Sequence, residues 1–216
     1  MFNNNQKGIN YFMPMKRFAL LMFLFLSVSM TFSQTEDAYW KTITDRSEKI
    51  VAKLALQDQA KQEKAVHIIR DQYYLLNACY SLRDLKIKEN TDKSLKEQIT
   101  QETLQETTNL NQAFVKRLKE VLTDPEVEAV KNGMTYNVYP NTVKAYQDMI
   151  PRLTKDEVHM IDSLLYEARD FAMQAESSEK KHAWFGKYKG KINNYLASHG
   201  YNLKEEGDKW AARLKK

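Results

Sequence analysis

The sequence predicts an all-α protein: a single-domain helical bundle of about six to eight helices that follows an N-terminal signal peptide. No glycine or proline occurs between Gln34 and Asp124. Strand-rich proteins need turns roughly every 8–12 residues, and turns use glycine and proline, whereas helix interiors avoid both. Apolar residues also recur through this region at spacings of three and four, as on one face of an α-helix.

Three long helices are expected in the first half of the mature chain, at residues 36–56, 59–87 and 93–122. The residues predicted to cap them are Thr35, Asp58 and Asp92. Short polar side chains favour such positions because their oxygens accept hydrogen bonds from backbone amides of the first turn. The connections between the three helices are short, which favours antiparallel neighbours packed as a bundle.

Two capping boxes start helices in the second half. Thr123 and Glu126 form one box and Thr154 and Glu157 the other, so helices are expected at 124–132 and 155–175. Gly133 is predicted as the C-cap of the first, because glycine adopts the left-handed conformation that often ends a helix.

The remaining elements are shorter. Residues 134–141, with Tyr136 and Tyr139, are predicted to form a loop, and a short helix near 142–150 should stop at Pro151. A further helical segment is expected at 178–199 with Gly200 as its C-cap. A last helix at 203–214 should place Trp210 inward.

The N-terminus reads as a secretory signal peptide covering residues 1–33, with Met15 as the probable start. Lys16 and Arg17 precede an apolar run that ends in small residues at the expected cleavage site. This run of about 15 residues is short for a membrane span, which needs ~20; an uncleaved anchor is the alternative. No cysteine follows the run, so we expect an exported domain at 34–216, periplasmic or secreted, without a lipid anchor or a membrane span.

Charge and cysteine content exclude several classes. Cleavage after Ser33 would remove three basic and no acidic residues, so the formal charge falls from +5 to +2 and the basic pI is no sign of nucleic-acid binding. Cys79 is alone, so no intramolecular disulfide can form, and we expect it to be a small buried hydrophobic residue.

Residues 177–201 form the most unusual segment because aromatics, lysines and asparagines surround two glycines inside a helical pattern. A glycine in a helix interior costs about 1 kcal/mol relative to alanine. On a helical plot Trp184 and Tyr188 fall on the core face, and His182 falls on the opposite, polar face. Three explanations of Gly186 and Gly190 stay open: close approach of another helix, close approach of a ligand, or a helix break near Gly190.

Catalytic and metal-binding motifs are absent: there is no G-x-S-x-G, H-E-x-x-H, P-loop or cysteine cluster. The histidines lack metal-ligand spacing, so neither a metal nor another cofactor is expected. Asp162, Glu167 and Asp170 share one helix, and a solvated charged face explains them. The protein is therefore more simply a binding protein than an enzyme, and no catalytic residue is assigned.

Three segments resemble a secreted bacterial family of unknown function whose proposed role is sugar binding. They read VKNGMTY at 130–136, KAYQDMIP at 144–151 and SEKKHAWFGKYKGKINNY at 178–195. The resemblance extends from Trp40 to Trp210, and it implies an association with the use of polysaccharides of the pectic type. It supplies no catalytic residues.

We therefore predict an exported protein that binds carbohydrate, such as a uronic-acid polysaccharide, or protein partners of a polysaccharide-degrading system. Lysines would suit an anionic glycan, amides and His182 would form hydrogen bonds, and aromatics would stack on sugars. The candidate ligand-binding residues are Tyr136, Asn137, His182, Trp184, Gly186, Lys187, Tyr188, Lys189, Gly190, Lys191, Asn193 and Asn194.

Two alternatives remain. One is a small glycan-acting lyase or hydrolase with His182 or Tyr188 as proton acceptor. The other is a periplasmic helical chaperone, because the Leu-Thr-x-x-Glu boxes at 122–126 and 153–157 are similar to the Leu-Thr-x-x-Gln repeats of small stress chaperones.

Overall fold

The computed structural model describes residues 36–215, and within them it contains helices and no strands. The predicted signal peptide and the predicted cap Thr35 lie outside the described residues. The helices are α1 (residues 36–52), α2 (Gln59–Glu89), α3 (Lys93–Lys119), α4 (Asp124–Met134), α5 (Val138–Met149), α6 (Lys155–Gln174), α7 (Ser178–Ser198) and α8 (Leu203–Leu214). The all-α prediction is confirmed.

The described chain divides into two compact units, with the division between Thr42 and Ile43. In the first unit, residues 36–42 are helical, and the Thr42 hydroxyl donates to the Ala38 carbonyl at 2.8 Å. The second unit holds the rest of the described chain. No helix of the described residues is long and apolar enough to cross a membrane.

The predicted N-caps within the described residues are confirmed. Asp58 accepts a hydrogen bond from the Lys61 amide, and Asp92 accepts from the Ser94 and Leu95 amides. Both capping boxes form: the Glu126 carboxylate accepts from the Thr123 amide at 2.8 Å, and that of Glu157 accepts from the Thr154 amide at 2.7 Å. Local capping chemistry thus sets where these four helices begin.

Two predictions about the middle of the chain are wrong. Gly133 is not a C-cap but lies inside α4, where a Cβ atom would stand 3.0 Å from Cγ2 of Ile50. It therefore allows a close approach between α4 and α1. The predicted loop at 134–141 is mostly helix, because α5 already begins at Val138 with Pro140 in its first turn, where proline is tolerated.

The core consists of two apolar clusters. The first packs α2 and α3 against α4 and the end of α1, with Ile69, Phe114 and Val130 among its buried residues. The second packs α5, α6 and α7, with Leu165 and Ile192 at its centre. Both α5 and α7 pack against α6 and α8. These neighbours bring one side of α5 and one side of α7 to a common surface.

Cys79 is partly exposed and not buried as predicted, although it is a free thiol. Burial, more than the nearby Glu106, raises the pKa of this thiol above its ordinary value of 9.0. A thiol in that state is mainly protonated at neutral pH, so it is a poor nucleophile.

Candidate functional site

Helix α7 runs unbroken from Ser178 to Ser198, so the expected alternative of a helix break near Gly190 is wrong. A Cβ atom placed on Gly186 or Gly190 would meet nothing within 4 Å. No other helix of the described chain therefore approaches these glycines closely. Of the three explanations, close approach of a ligand is the one left open, since the backbone at both glycines is exposed.

The open glycines share one side of α7 with three polar residues. Residues three, four and seven apart lie on the same side of a helix. This side, called here the glycine face, consists of His182, Gly186, Lys189, Gly190 and Asn193. All five are exposed. The glycine face lies beside the buried stripe of Phe185 and Ile192, so it stays on the surface while α7 packs on α6.

A surface pocket of about 400 Å³ lies at one end of the glycine face. Helices α5, α7 and α8 form it, and no carboxylate of the described residues lines it. Its lining residues are Thr142, Ala145, Tyr146, Met149, Lys189, Asn193, Leu203 and Trp210. Two other surface pockets, of about 470 Å³ each, contain none of the predicted binding residues.

The polar groups of this pocket, called here the α5–α7–α8 pocket, are held at defined positions. The buried Tyr146 hydroxyl donates to the Asn193 Oδ1 atom at 2.7 Å, which orients the Asn193 amide nitrogen away from α5. Burial raises the pKa of Tyr146 to about 12, so the phenol stays protonated and keeps donating. Lys189 makes no ion pair within residues 36–215, and its ammonium group is available to an anion.

A second feature lies at the other end of the glycine face. The Tyr136 ring stacks on the His182 imidazole, with centroids 5.4 Å apart and planes 9° from parallel. Tyr136 and Asn137 both have left-handed backbone conformations, with φ of 59° and 56°. Non-glycine residues adopt this conformation at a cost, and it often marks functional positions. The turn presents Tyr136 half-exposed to solvent.

The structure separates the remaining predicted residues from this face. Trp184 stacks on Phe171 with centroids 4.5 Å apart, on the far side of α7. Tyr188 is buried, and burial together with a hydrogen bond to Glu167 raises its pKa to about 12. Tyr188 is thus neither accessible to a ligand nor a suitable base at neutral pH.

The two lysines of that side of α7 are also engaged. The ammonium groups of Lys187 and Lys191 lie 4.9 Å and 4.1 Å from the ring centroids of Trp184 and Tyr188, respectively. Asn194 is exposed and does not line the α5–α7–α8 pocket. Of the ten predicted residues on α7, five form the glycine face and the others lie outside it, while Tyr136 and Asn137 belong to the turn before α5.

A buried ionic network that the sequence prediction missed supports the Tyr136 turn. Arg169 is fully buried and donates to the Glu128 carboxylate and to Asn132 Oδ1, both at 2.5 Å. Its guanidinium also lies 4.7 Å and 4.6 Å from the ring centroids of Tyr139 and Tyr166. Burial alone would raise the pKa of Glu128, but hydrogen bonds from Arg169 and Lys131 outweigh it and lower that pKa.

The network reaches the strained turn through Asn132. The backbone carbonyl of Asn132 accepts hydrogen bonds from the Thr135 and Asn137 amides at 3.1 Å and 2.8 Å. Arg169 holds the side chain of the same residue. We infer that Arg169 fixes the end of α4 and, with it, the left-handed turn that carries Tyr136.

The acidic residues of α6 are partners of other groups and not a simple solvated face. Asp162 accepts from the Tyr139 hydroxyl at 2.7 Å, and Asp170 lies 3.4 Å from the Lys131 ammonium. Within residues 36–215 no group of three or more His, Cys, Asp or Glu side chains is placed to hold a metal ion.

Replacing the open glycines by alanine should stabilise the protein. Gly186→Ala and Gly190→Ala should each raise the free energy of unfolding by about 0.5–1 kcal/mol, because neither Cβ atom clashes and alanine is the better helix former. Urea unfolding measures this. Gly133→Ala is the control, since its Cβ atom would press on Ile50 and the gain should vanish or reverse.

A family model described as "Protein of unknown function (DUF3826)" matches residues 40–216. No curated protein matches the chain.

Proposed function

The chain belongs to the DUF3826 family, described as being of unknown function, and we propose that it is an exported carbohydrate-binding protein. The observation that carries the proposal is the α5–α7–α8 pocket. It combines the Trp210 indole with the Asn193 amide and the Lys189 ammonium in about 400 Å³. The predicted signal peptide supports export.

The chemistry of this pocket suits a sugar. A pyranose ring has apolar C–H faces and a rim of hydroxyl groups, so it is recognised by an aromatic face together with amide and charged side chains. Trp210 and Met149 supply apolar surface, and Asn193 and Thr142 supply hydrogen-bonding groups. Lys189 adds a positive charge, and the absence of a lining carboxylate favours an acidic sugar over a basic one.

The open glycine face extends the same surface along α7. From Asn193 to His182 the helix rises by about 16 Å, at ~1.5 Å per residue, which is long enough for several sugar units. The stacked rings of Tyr136 and His182 lie at the far end. This length supports an oligosaccharide or a polysaccharide segment as the ligand more than a free monosaccharide.

Affinity electrophoresis of the purified protein against neutral and acidic polysaccharides tests the proposal. We expect retardation by an acidic glycan such as polygalacturonate, without loss of polymer length on prolonged incubation. Trp210→Ala should weaken binding about tenfold or more, as aromatic anchors at interface centres commonly cost 1–2 kcal/mol or more when truncated. If cleavage products accumulate, the protein is a glycan-acting enzyme instead.

Two matched pairs of variants localise the site. Lys189→Ala should weaken binding of the acidic glycan severalfold, whereas Lys187→Ala, which removes the same charge from the other side of α7, should not. Asn193→Asp keeps the acceptor for the Tyr146 hydroxyl but repels an acidic ligand, and Asn194→Asp is its control. Equal effects within each pair would refute the pocket as the binding site.

A further inference from the structure

A row of exposed apolar residues runs along one side of the C-terminal half of α2. Leu75, Leu82 and Leu85 are 39%, 53% and 57% exposed, and Ala78 is exposed as well. A single exposed leucine is common on protein surfaces, but a contiguous row of apolar residues often marks an interaction site. This row, called here the α2 seam, consists of residues 75, 78, 82 and 85.

The α2 seam has the spacing of a coiled coil. Its residues follow one another at intervals of three, four and three, which are the a and d positions of two consecutive heptads. Another side of the same half-helix packs within the protein: Leu76 is buried, and the Tyr80 hydroxyl donates to the Gln174 carbonyl at 2.7 Å. This part of α2 thus has two apolar sides, and among residues 36–215 the seam side stays exposed.

An antiparallel second copy of α2 fits the seam. Positions 78 and 82 lie two residues from position 80, and positions 75 and 85 lie five residues from it. A two-fold axis beside Tyr80 therefore places Leu75 against Leu85 of the partner subunit, and Ala78 against Leu82 of the partner subunit. The small alanine faces a large leucine, a combination that fills an interface well. Such self-complementarity is what a two-fold symmetric interface requires.

Charged residues at the ends of the seam favour the antiparallel orientation over the parallel one. Lys86 and Lys88 flank its C-terminal end, and parallel helices would bring the same lysines of both copies together. Antiparallel helices separate the two copies of Lys88 by about 24 Å, at ~1.5 Å per residue. Glu89 then faces Asp71 of the partner subunit, but Arg117 already pairs with Asp71 at 3.2 Å.

We propose that the protein forms a homodimer through the α2 seam, with the two α2 helices antiparallel about a two-fold axis beside Tyr80. The occupant is a second copy because the seam complements itself, and this argument does not depend on the proposed function. From Leu75 to Leu85 the seam is about 15 Å long. Such an interface is small, so we expect a reversible dimer with a dissociation constant in the micromolar range.

Sedimentation equilibrium of the purified protein tests for the dimer. We expect the mass of a dimer at about 100 μM and that of a monomer well below ~1 μM. Leu82→Glu should weaken association at least tenfold, because it places a charge against Ala78 of the partner subunit. Leu104→Glu is the matched control: Leu104 is 46% exposed on α3, outside the seam, so this variant should associate within twofold of the wild type.

Circular dichroism checks that both glutamate variants keep the helical content of the wild type, as substitution of exposed side chains should allow. A protein that remains monomeric at 100 μM and above would overturn the proposal. Equal weakening by Leu82→Glu and Leu104→Glu would show that any dimer uses another surface. Neither result bears on glycan binding, so the failure of this proposal and that of the proposed function are distinguishable.

Cysteine crosslinking tests the orientation of the two helices. In a Cys79→Ser background, Ser81→Cys and Lys88→Cys each place one thiol on the same flank of the seam, seven residues apart. Bismaleimidoethane should join two copies of the Ser81→Cys variant, whose thiols lie near the axis. It should join few copies of the Lys88→Cys variant, whose positions are about 24 Å apart. Equal crosslinking of both variants would show parallel pairing, and crosslinking of neither would exclude the seam as the interface.

Discussion

Arg169→Met should lower the free energy of unfolding by about 3 kcal/mol or more. The substitution leaves the Glu128 carboxylate and Asn132 Oδ1 without their donor and removes the guanidinium from between Tyr139 and Tyr166. Removing one partner of a buried ion pair typically lowers stability by about 3–5 kcal/mol. Because Glu128 is partly exposed, we expect a value near the lower end of this range. Urea unfolding followed by circular dichroism gives the value.

The matched control is Arg117→Met. Arg117 pairs with Asp71 at 3.2 Å but is about half exposed, and exposed ion pairs contribute only about 0–1 kcal/mol. If the two arginine variants are equally stable, Arg169 is not a structural anchor. The Arg169 variant should also weaken glycan binding at temperatures where it remains folded, because the turn that carries Tyr136 loses its support through Asn132.

Lys181→Met should have the opposite effect to Arg169→Met: it should raise the free energy of unfolding of the unliganded protein at pH 7. Lys181 is buried, and within residues 36–215 no carboxylate lies within ion-pair distance of it. Burial, more than the charge of Arg46, lowers its folded-state pKa from the ordinary value of 10.5 to about 8. A difference of that size corresponds to a cost of about 3 kcal/mol for the buried charge, at ~1.4 kcal/mol per pKa unit. The lost hydrogen bond to the Met134 carbonyl offsets part of the gain, so we expect a net stabilisation of about 1–3 kcal/mol.

The direction in which stability changes with pH follows from this lowered pKa. Below pH 8 Lys181 is protonated in both the folded and the unfolded states, and the full cost is present. Between about pH 8 and 10.5 the folded protein releases this proton first, so the unfolded state binds more protons and stability rises with pH. The difference in free energy of unfolding between Lys181→Met and the wild type should therefore become smaller across this interval.

The matched control for this prediction is Lys131→Met, a second buried lysine. Hydrogen bonds from Lys131 to Tyr166 and Glu128 and the charge of Asp170 raise its pKa despite burial and the nearby Arg169. Removal of that ammonium leaves Asp170 without its cation and Glu128 with Arg169 alone, so it should destabilise the protein. Destabilisation by both lysine substitutions would show that Lys181 has a counter-ion in solution and would contradict its assignment as a buried, unpaired charge.

The helical architecture could be predicted from the sequence because its signals are local. Caps such as Asp58 and Asp92, and the two capping boxes, depend only on residues three positions apart. The role of Gly133 could not be predicted in this way, since it depends on how closely Ile50 approaches from another helix. The start of α5 was missed because Tyr136, Asn137 and Pro140 resemble loop residues when read without tertiary context.

The ligand-binding role of the predicted residues stays a prediction, but part of their arrangement could be predicted from the sequence. The helical plot already placed Trp184 on the side opposite His182, whereas it could not show that Asn193 lines a pocket with α5 and α8. The buried cations were missed, although a signal exists: Lys181 stands four residues before Phe185 on the buried stripe of α7. Arg169 and Lys131 follow the buried residues Leu165 and Val127 by the same interval. A charged residue in register with an apolar stripe is a specific marker for a buried ion.

The three tryptophan indole N–H signals provide the most direct test of carbohydrate binding in the α5–α7–α8 pocket. A titration of the ¹⁵N-labelled protein with tetragalacturonate should shift the indole signal of Trp210 in a saturable manner and leave that of Trp184, on the other side of α7, in place. Assignment by single Trp→Phe variants identifies each signal. A ligand that shifts the Trp184 signal and not that of Trp210, or that shifts neither while it binds, would contradict the account.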